Sequence, residues 1–187
     1  MRVVAGSARG RRLVAPAGRS TTRPTPDRVR EATFNALVSR GALDGATVLD
    51  LFAGSGALGI EALSRGAAHA TFVDADAAAL AAVRANLAAC GFAGRAEVVR
   101  GEATAFLAGA GDRRWDLALL DPPYAFDGWA ELLAALPAAE AVVESDREVG
   151  LPAGWRAERA KRYGGTVVVI AARTVGDGAP EPGRGVG

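Results

Sequence analysis

The 187-residue sequence is poor in several residue types whose chemistry would otherwise dominate its reading. It has one cysteine, Cys90, so no internal disulfide and no cysteine metal cluster can form. Its one histidine, His69, opens an apolar stretch and reads as structural; Cys90 sits on the apolar stripe of a predicted helix and reads as core. Aromatic residues are scarce, and Trp115, Trp129 and Trp155 read as packing residues. No apolar run approaches the ~20 residues needed to span a bilayer. The arginine-rich N-terminus lacks the sustained apolar stretch of a signal peptide. These absences lead us to expect a protein working in the reducing cytoplasm, without membrane attachment and without a metal; a monomer is also expected.

A hydrophobic fraction of 50% is ample for one domain's core, although much of it is alanine. The net charge of +1 hides an asymmetry: residues 1–40 hold nine arginines against Asp27 and Glu31. That segment is strongly basic and the remainder is acidic, a pattern suited to a polyanionic partner. The arginines are interleaved with Val3, Val4, Leu13 and Val14, so the segment can pack as well as bind. Residues 2–5 and 11–15 predict a short hairpin. Pro24-Thr25-Pro26 then opens a helix, with Thr25 the expected N-cap and Pro26 its first residue, and Gly41 ends it.

From residue 46 onward, strands and helices alternate. Strands are expected at 46–51, 70–74, 96–100, 116–120 and 140–144, and helices at 57–65, from Asp76 to Gly91, at 103–109 and at 128–136. Two further strands, near 155–161 and 166–172, flank Gly164-Gly165 and form an antiparallel hairpin. Residues 174–187, rich in Gly and Pro, predict a disordered tail. Such alternation means an α/β domain with a mostly parallel sheet covered on both faces, and a ligand beyond the carboxyl ends of its strands.

The loop after the first strand reads Asp50-Leu51-Phe52-Ala53-Gly54-Ser55-Gly56-Ala57-Leu58-Gly59. Gly54 and Gly56 permit a ligand to approach the backbone, and Gly59 permits close helix–sheet packing. Alone this is a GxGxxG pattern that dinucleotide enzymes share. Asp74, at the end of the second strand, suits ribose hydroxyls in either case. Asp50 separates the two readings, because it would repel a pyrophosphate at the helix N-terminus but attract the ammonium of S-adenosylmethionine.

The turn after the fourth strand, Asp121-Pro122-Pro123-Tyr124, carries the most chemistry. Two prolines fix a rigid turn without amide donors at their positions, leaving carbonyls and the Asp121 carboxylate as acceptors. An exocyclic base amine is a poor nucleophile, since its lone pair is delocalised into the ring. Acceptors that hold its hydrogens aim that lone pair at a methyl donor. Tyr124 offers a face for stacking an unstacked base.

These stretches resemble the amino-methyltransferases of nucleic acids. Arg23-Pro24-Thr25-Pro26-Asp27-Arg28-Val29-Arg30-Glu31 with Phe34-Asn35, then Asp50 to Gly59 with Glu61-Ala62-Leu63-Ser64-Arg65, and finally Asp121 to Tyr124 resemble one bacterial family. It is the RsmD-type methyltransferases, which modify the exocyclic N2 of one guanine in small-subunit ribosomal RNA; the likeness spans roughly residues 2–172. It implies a Rossmann-like class I methyltransferase fold, a seven-stranded mostly parallel sheet with a terminal antiparallel hairpin plus a basic N-terminal hairpin and helix. It implies S-adenosylmethionine at Thr25, Asp50, Phe52, Gly54, Gly56, Asp74, Glu102 and Ala103. It also implies a guanine held by Asp121, Pro122, Pro123 and Tyr124, and 16S ribosomal RNA or an assembling 30S subunit met by Arg9, Arg11, Arg12, Arg23 and Arg28.

On this reading residues 1–40 are an RNA-facing extension, 41–173 the catalytic domain and 174–187 a tail. A DNA adenine or cytosine amino-methyltransferase shares the Asp-Pro-Pro-Tyr turn but normally carries a separate target-recognition domain. A protein glutamine methyltransferase typically has Asn in place of Asp121. A nicotinamide reductase conflicts with Asp50, and a non-catalytic RNA-binding module conflicts with the intact Asp50, Asp74 and Asp121.

Overall fold

The computed structural model describes residues 1–17, 26–123 and 125–174. The expected residues Arg23, Thr25 and Tyr124 lie outside these, as do residues 175–187 of the proposed tail. Seven strands form one sheet: β1 (Thr47–Leu51), β2 (His69–Asp74), β3 (Ala96–Arg100), β4 (Trp115–Leu120), β5 (Ala138–Ser145), β6 (Trp155–Tyr163) and β7 (Thr166–Arg173). Their spatial order is β3-β2-β1-β4-β5-β7-β6. The first five pair in parallel, whereas β7 runs antiparallel to both β5 and β6. The order reverses between β1 and β4, where the crossovers diverge and leave a crevice at the strands' carboxyl ends.

Period-two alternation divides the sheet's apolar residues between two cores. Val48, Phe72, Leu117, Leu119, Val142 and Ile170 face one layer, which holds the N-terminal arm, α1 (Asp27–Ser39), α2 (Ala57–Ser64) and α3 (Ala77–Cys90). Leu49, Leu51, Val73, Ala118, Leu120 and Val143 face the other, with α4 (Ala103–Ala108) and α5 (Trp129–Ala135). Central strands buried on both faces explain the continuous apolar runs. The helix limits follow local chemistry. The Asp76 side chain accepts a hydrogen bond from the Ala78 amide at 2.8 Å, and Gly91, at φ 75°, closes α3 in the left-handed conformation.

Two local expectations are corrected. Pro26 is the N-cap of α1 and not its first helical residue; its carbonyl accepts from the Val29 and Arg30 amides. The predicted hairpin shrinks to a single bridge, Arg2 with Arg12, held by hydrogen bonds between Val3 and Arg11 and between Gly10 and Val3. Several of its other amides bond to α2. Val4 and Ala5 donate to the Glu61 carboxylate at 2.8 and 3.0 Å, and Ala8 donates to the Ser64 hydroxyl at 2.9 Å. The arm therefore docks on α2 as well as pairing with itself at one bridge. Gly6 makes the docking possible: its φ is +83°, and a Cβ there would lie 1.8 Å from the Ser64 carbonyl oxygen.

Candidate functional site

The crevice is a cleft of about 1280 Å³ over the carboxyl ends of the parallel strands. Its described walls come from the glycine loop after β1, the ends of β2, β4 and β5, the start of α4, the β6–β7 turn and the arm. The strand alternation decides which side chains meet there. Asp50 lies between Leu49 and Leu51, while Asp74 follows Val73 and Asp121 follows Leu120. Asp50 and Asp74 are therefore directed to the arm-covered face, opposite their apolar neighbours, and Asp121 lies just past the end of β4. All three line the cleft, and the charges of Asp121 and Asp74 bear on Asp50.

Asp50 is fully buried, and one oxygen accepts the Gly59 amide at 2.9 Å. It thus ties the strand end to the first turn of α2 and also faces the cleft. Burial raises its pKa well above the usual carboxylate value; the Gly59 bond opposes that rise, and the neighbouring Asp121 and Asp74 charges add to it. A cation entering the cleft would relieve this strain. Asp74 holds the loop with both oxygens, which accept from the Gly54 amide at 2.8 Å and the Asp76 amide at 2.9 Å. Each oxygen keeps a second lone pair for a ligand.

Gly54 and Gly56 have positive φ, 56° and 77°, and Gly56 caps α2. Phe52 also has a positive φ, 63°, unusual for a side chain of its size. The Ala53 amide donates to the Val73 carbonyl, and the Phe52 ring meets Phe126 edge-on at 5.4 Å, which together hold this backbone. Gly59 sits so close to Phe72 that a Cβ would lie 2.4 Å from the ring. Glu102 is exposed at the N-terminus of α4 beside buried Ala103, and both line the cleft. In the Asp-Pro-Pro turn, the Pro123 carbonyl accepts the Phe126 amide at 2.9 Å. That bond uses one lone pair of the carbonyl and leaves the other.

Arg9, Arg11 and Arg12 on the arm and Arg28 on α1 are exposed. The arm also has a role that the sequence reading missed: Met1, Leu13, Ala15 and Pro16 form a wall of the cleft. Asn86 of α3 fixes that wall. Its side chain accepts from the Val14 amide at 2.8 Å and donates to the Val14 carbonyl and to the Ser55 carbonyl in the glycine loop. Beneath lies a buried ionic cluster, also missed. Glu61 pairs with Arg65 at 2.7 Å and lies 3.8 Å from Arg30, whose guanidinium donates to Asp27 and to the Arg2 carbonyl. In the sequence Glu61 and Ser64 are only part of a pattern; their function as the arm's anchor depends on contacts some 57 residues distant along the chain.

Six carboxylates, those of Asp50, Asp74, Glu102, Asp121, Glu144 and Asp146, line the cleft among the described residues, against the Arg30 guanidinium and Met1. This is a site for a cationic or donor-rich ligand and an unfavourable one for a pyrophosphate. No group of three or more His, Cys, Asp or Glu with metal-binding geometry occurs among the described residues. No helix among them is long and apolar enough to cross a membrane.

Comparison with known proteins agrees with the geometry. The chain is 44% identical over 161 residues to the Bacillus subtilis protein YlbH, covering 81% of this chain and 86% of that one. It is 42% identical over 174 residues to ribosomal RNA small subunit methyltransferase D of Escherichia coli K12, covering 88% and 85%. The solved structure of the Escherichia coli protein yhhF superposes with a TM-score of 0.80 at 39% identity, covering 92% of this chain and 97% of that one. The architecture is the Rossmann-like methyltransferase fold. The family described as conserved hypothetical protein 95 matches residues 1–172, and the chain belongs to it, among the RsmD-type proteins.

Proposed function

We propose that the chain transfers a methyl group from S-adenosylmethionine to the exocyclic N2 amine of a guanine in 16S ribosomal RNA, either free or in an assembling 30S subunit. One observation carries the reading: Asp50, Asp74 and Asp121 meet at the switch point in a single acidic cleft. The names of the relatives support the ribosomal RNA substrate.

The residues present fit S-adenosylmethionine, which supplies a methyl group made electrophilic by an adjacent sulfonium. Asp50 binds the ammonium of its methionine end. Asp74 accepts from the ribose hydroxyls while its other lone pairs keep the glycine loop in place. Glu102 and Ala103 would border the adenine, and Phe52 would line the cofactor's side of the cleft. Asp121 accepts a hydrogen of the target amine and turns the nitrogen lone pair toward the methyl group. Orientation of this kind is worth several orders of magnitude in rate. The methylated amine is acidic and releases its proton to solvent. Arg9, Arg11, Arg12 and Arg28 meet the RNA backbone.

The test is to incubate the protein with labelled S-adenosylmethionine and 30S particles or naked ribosomal RNA lacking the modification, then identify the labelled nucleoside. N2-methylguanosine at one site is expected; label only in DNA or in protein would refute the proposal. Asp121→Ala should abolish transfer while leaving cofactor binding measurable by calorimetry. Loss of both together would assign Asp121 a different role.

A further inference from the structure

We propose that one face of the edge strand β6, carrying Arg159 and Lys161, is a second RNA-binding surface that leads the RNA chain flanking the target nucleotide into the cleft. The inference rests on the ribosomal RNA substrate proposed above and adds a surface outside the basic N-terminal segment. After residue 40 the chain is acidic on balance, yet the nine residues of β6 hold Arg156, Arg159, Lys161 and Arg162 against Glu158 alone.

The pairing with β7 sorts these side chains by face, because residues directly opposite in an antiparallel pair share one. Past the irregularity between Ala157 and Arg159 the ladder is continuous: Arg159 stands opposite Ile170, Lys161 opposite Val168 and Tyr163 opposite Thr166. Ile170 and Val168 belong to the core layer of α1, α2 and α3, and Tyr163 packs against the same layer. The Lys161 ammonium lies 5.1 Å from the centre of the Tyr163 ring, a cation–π contact that places both on this face. Arg162 stands opposite Val167, which faces the α4–α5 layer, and so takes the other face.

Charges on an edge strand also keep sheets from pairing edge to edge, a role that favours neither face and leads nowhere. The row on β6 does both. Arg159 and Lys161 are exposed, and neither forms an ion pair among the described residues, whereas Arg156 is taken up by Glu158 at 2.6 Å. β7 is antiparallel to both β5 and β6, so β6 runs in the same direction as β5 and its carboxyl end reaches the crevice. There Tyr163, Gly164, Gly165 and Thr166 form part of the cleft wall. Alternate residues of a strand are about 6.6–6.8 Å apart, a step close to that between successive phosphates of an extended RNA chain. The arm docks on α2 and α3, which pack on β1, β2 and β3, while β6 is the opposite edge of the sheet, beyond β4 and β5. Asp121, after β4, therefore lies between two basic surfaces, one for the RNA on each side of the target base.

Lys161 is the one lysine of the sequence, so acylation of lysine side chains reports on it alone. The full chain is treated with an N-hydroxysuccinimide ester, with and without 30S particles lacking the modification, and read by mass spectrometry. The particles should slow acylation of Lys161, and S-adenosylhomocysteine alone should not; an unprotected Lys161 would overturn the proposal. Arg159→Gln combined with Lys161→Gln should lower the slope of log affinity for 16S ribosomal RNA against log salt by about 1.4–1.8, the share of two phosphate contacts, at unchanged cofactor affinity. Arg162→Gln, on the other face, should leave the slope as it is. An unmoved slope in the double variant would assign these charges to edge protection, and an equal loss in Arg162→Gln would reduce the effect to net charge; either result refutes the surface. Nucleoside analysis of the wild-type product separates the two proposals. Protection of Lys161 with methylation elsewhere than guanine N2 refutes the proposed function and leaves the surface standing, whereas N2-methylguanosine with an unmoved slope refutes the surface alone.

Discussion

Replacing Asp50 with Asn should separate the stability of the fold from its function. The substitution keeps the shape and an oxygen for the Gly59 amide, but removes a charge held fully buried near Asp74 and Asp121. Burial raises the Asp50 pKa, so between the ordinary carboxylate value and the raised one the folded chain holds a proton that the unfolded chain has released. Stability from this group therefore falls as pH rises through that window, and Asp50→Asn should abolish this pH dependence. The variant without ligand should be as stable as the parent or more so at neutral pH, by urea titration. Its affinity for S-adenosylmethionine should fall, because a hydrogen bond to a charged group is worth about 1.5–3 kcal/mol, or roughly 10- to 150-fold. Calorimetry in buffers of different ionisation enthalpy should also show that the parent releases a proton on binding when Asp50 is protonated, and that the variant releases less. An affinity within twofold of the parent, together with a stability loss above about 2 kcal/mol, would show that Asp50 is a loop cap and nothing more.

Three further outcomes follow from the same contacts. Glu61→Ala should cost about 3–5 kcal/mol in urea unfolding, because it strands Arg65 in the interior and releases the Val4 and Ala5 amides; a loss below about 1 kcal/mol would show that the arm is held otherwise. Gly59→Ala should destabilise by about 1–3 kcal/mol despite alanine's better helix propensity, because the added carbon meets the Phe72 ring, and an unchanged melting temperature would contradict this packing. Reversing Arg9, Arg11 and Arg12 to Glu should weaken RNA binding and flatten its salt dependence without changing cofactor affinity, and an unchanged salt slope would show these arginines merely solvated. Deleting the arm would be a poorer test, since Val3 and Leu13 are buried and the arm walls the cleft.

Most of the element pattern was legible along the chain because its causes are local. Asp76 and Gly91 bound α3 through their own side chain and backbone, and apolar runs such as residues 116–120 mark strands buried on both faces. Asp50, Asp74 and Asp121 were legible for a related reason: each sits at or just past a strand end, where an α/β sheet opens its crevice. The hairpin was overread because strand propensity says nothing of a better acceptor elsewhere, and Glu61 takes two of the amides that a longer ladder would have used.

The sequence by itself determined the alternation of strands and helices, the glycine loop with its carboxylates, the proline turn and the basic segment, all properties of neighbours along the chain. Only the tertiary structure decided that the basic segment is also a wall of the cleft, that Glu61 and Asn86 fasten it, and that Glu144 lines the cleft. Those relations depend on strand order, on register and on which face each residue takes. A shift of one residue in register would turn Glu144 to the opposite face, so its place in the site belongs to the sheet as a whole.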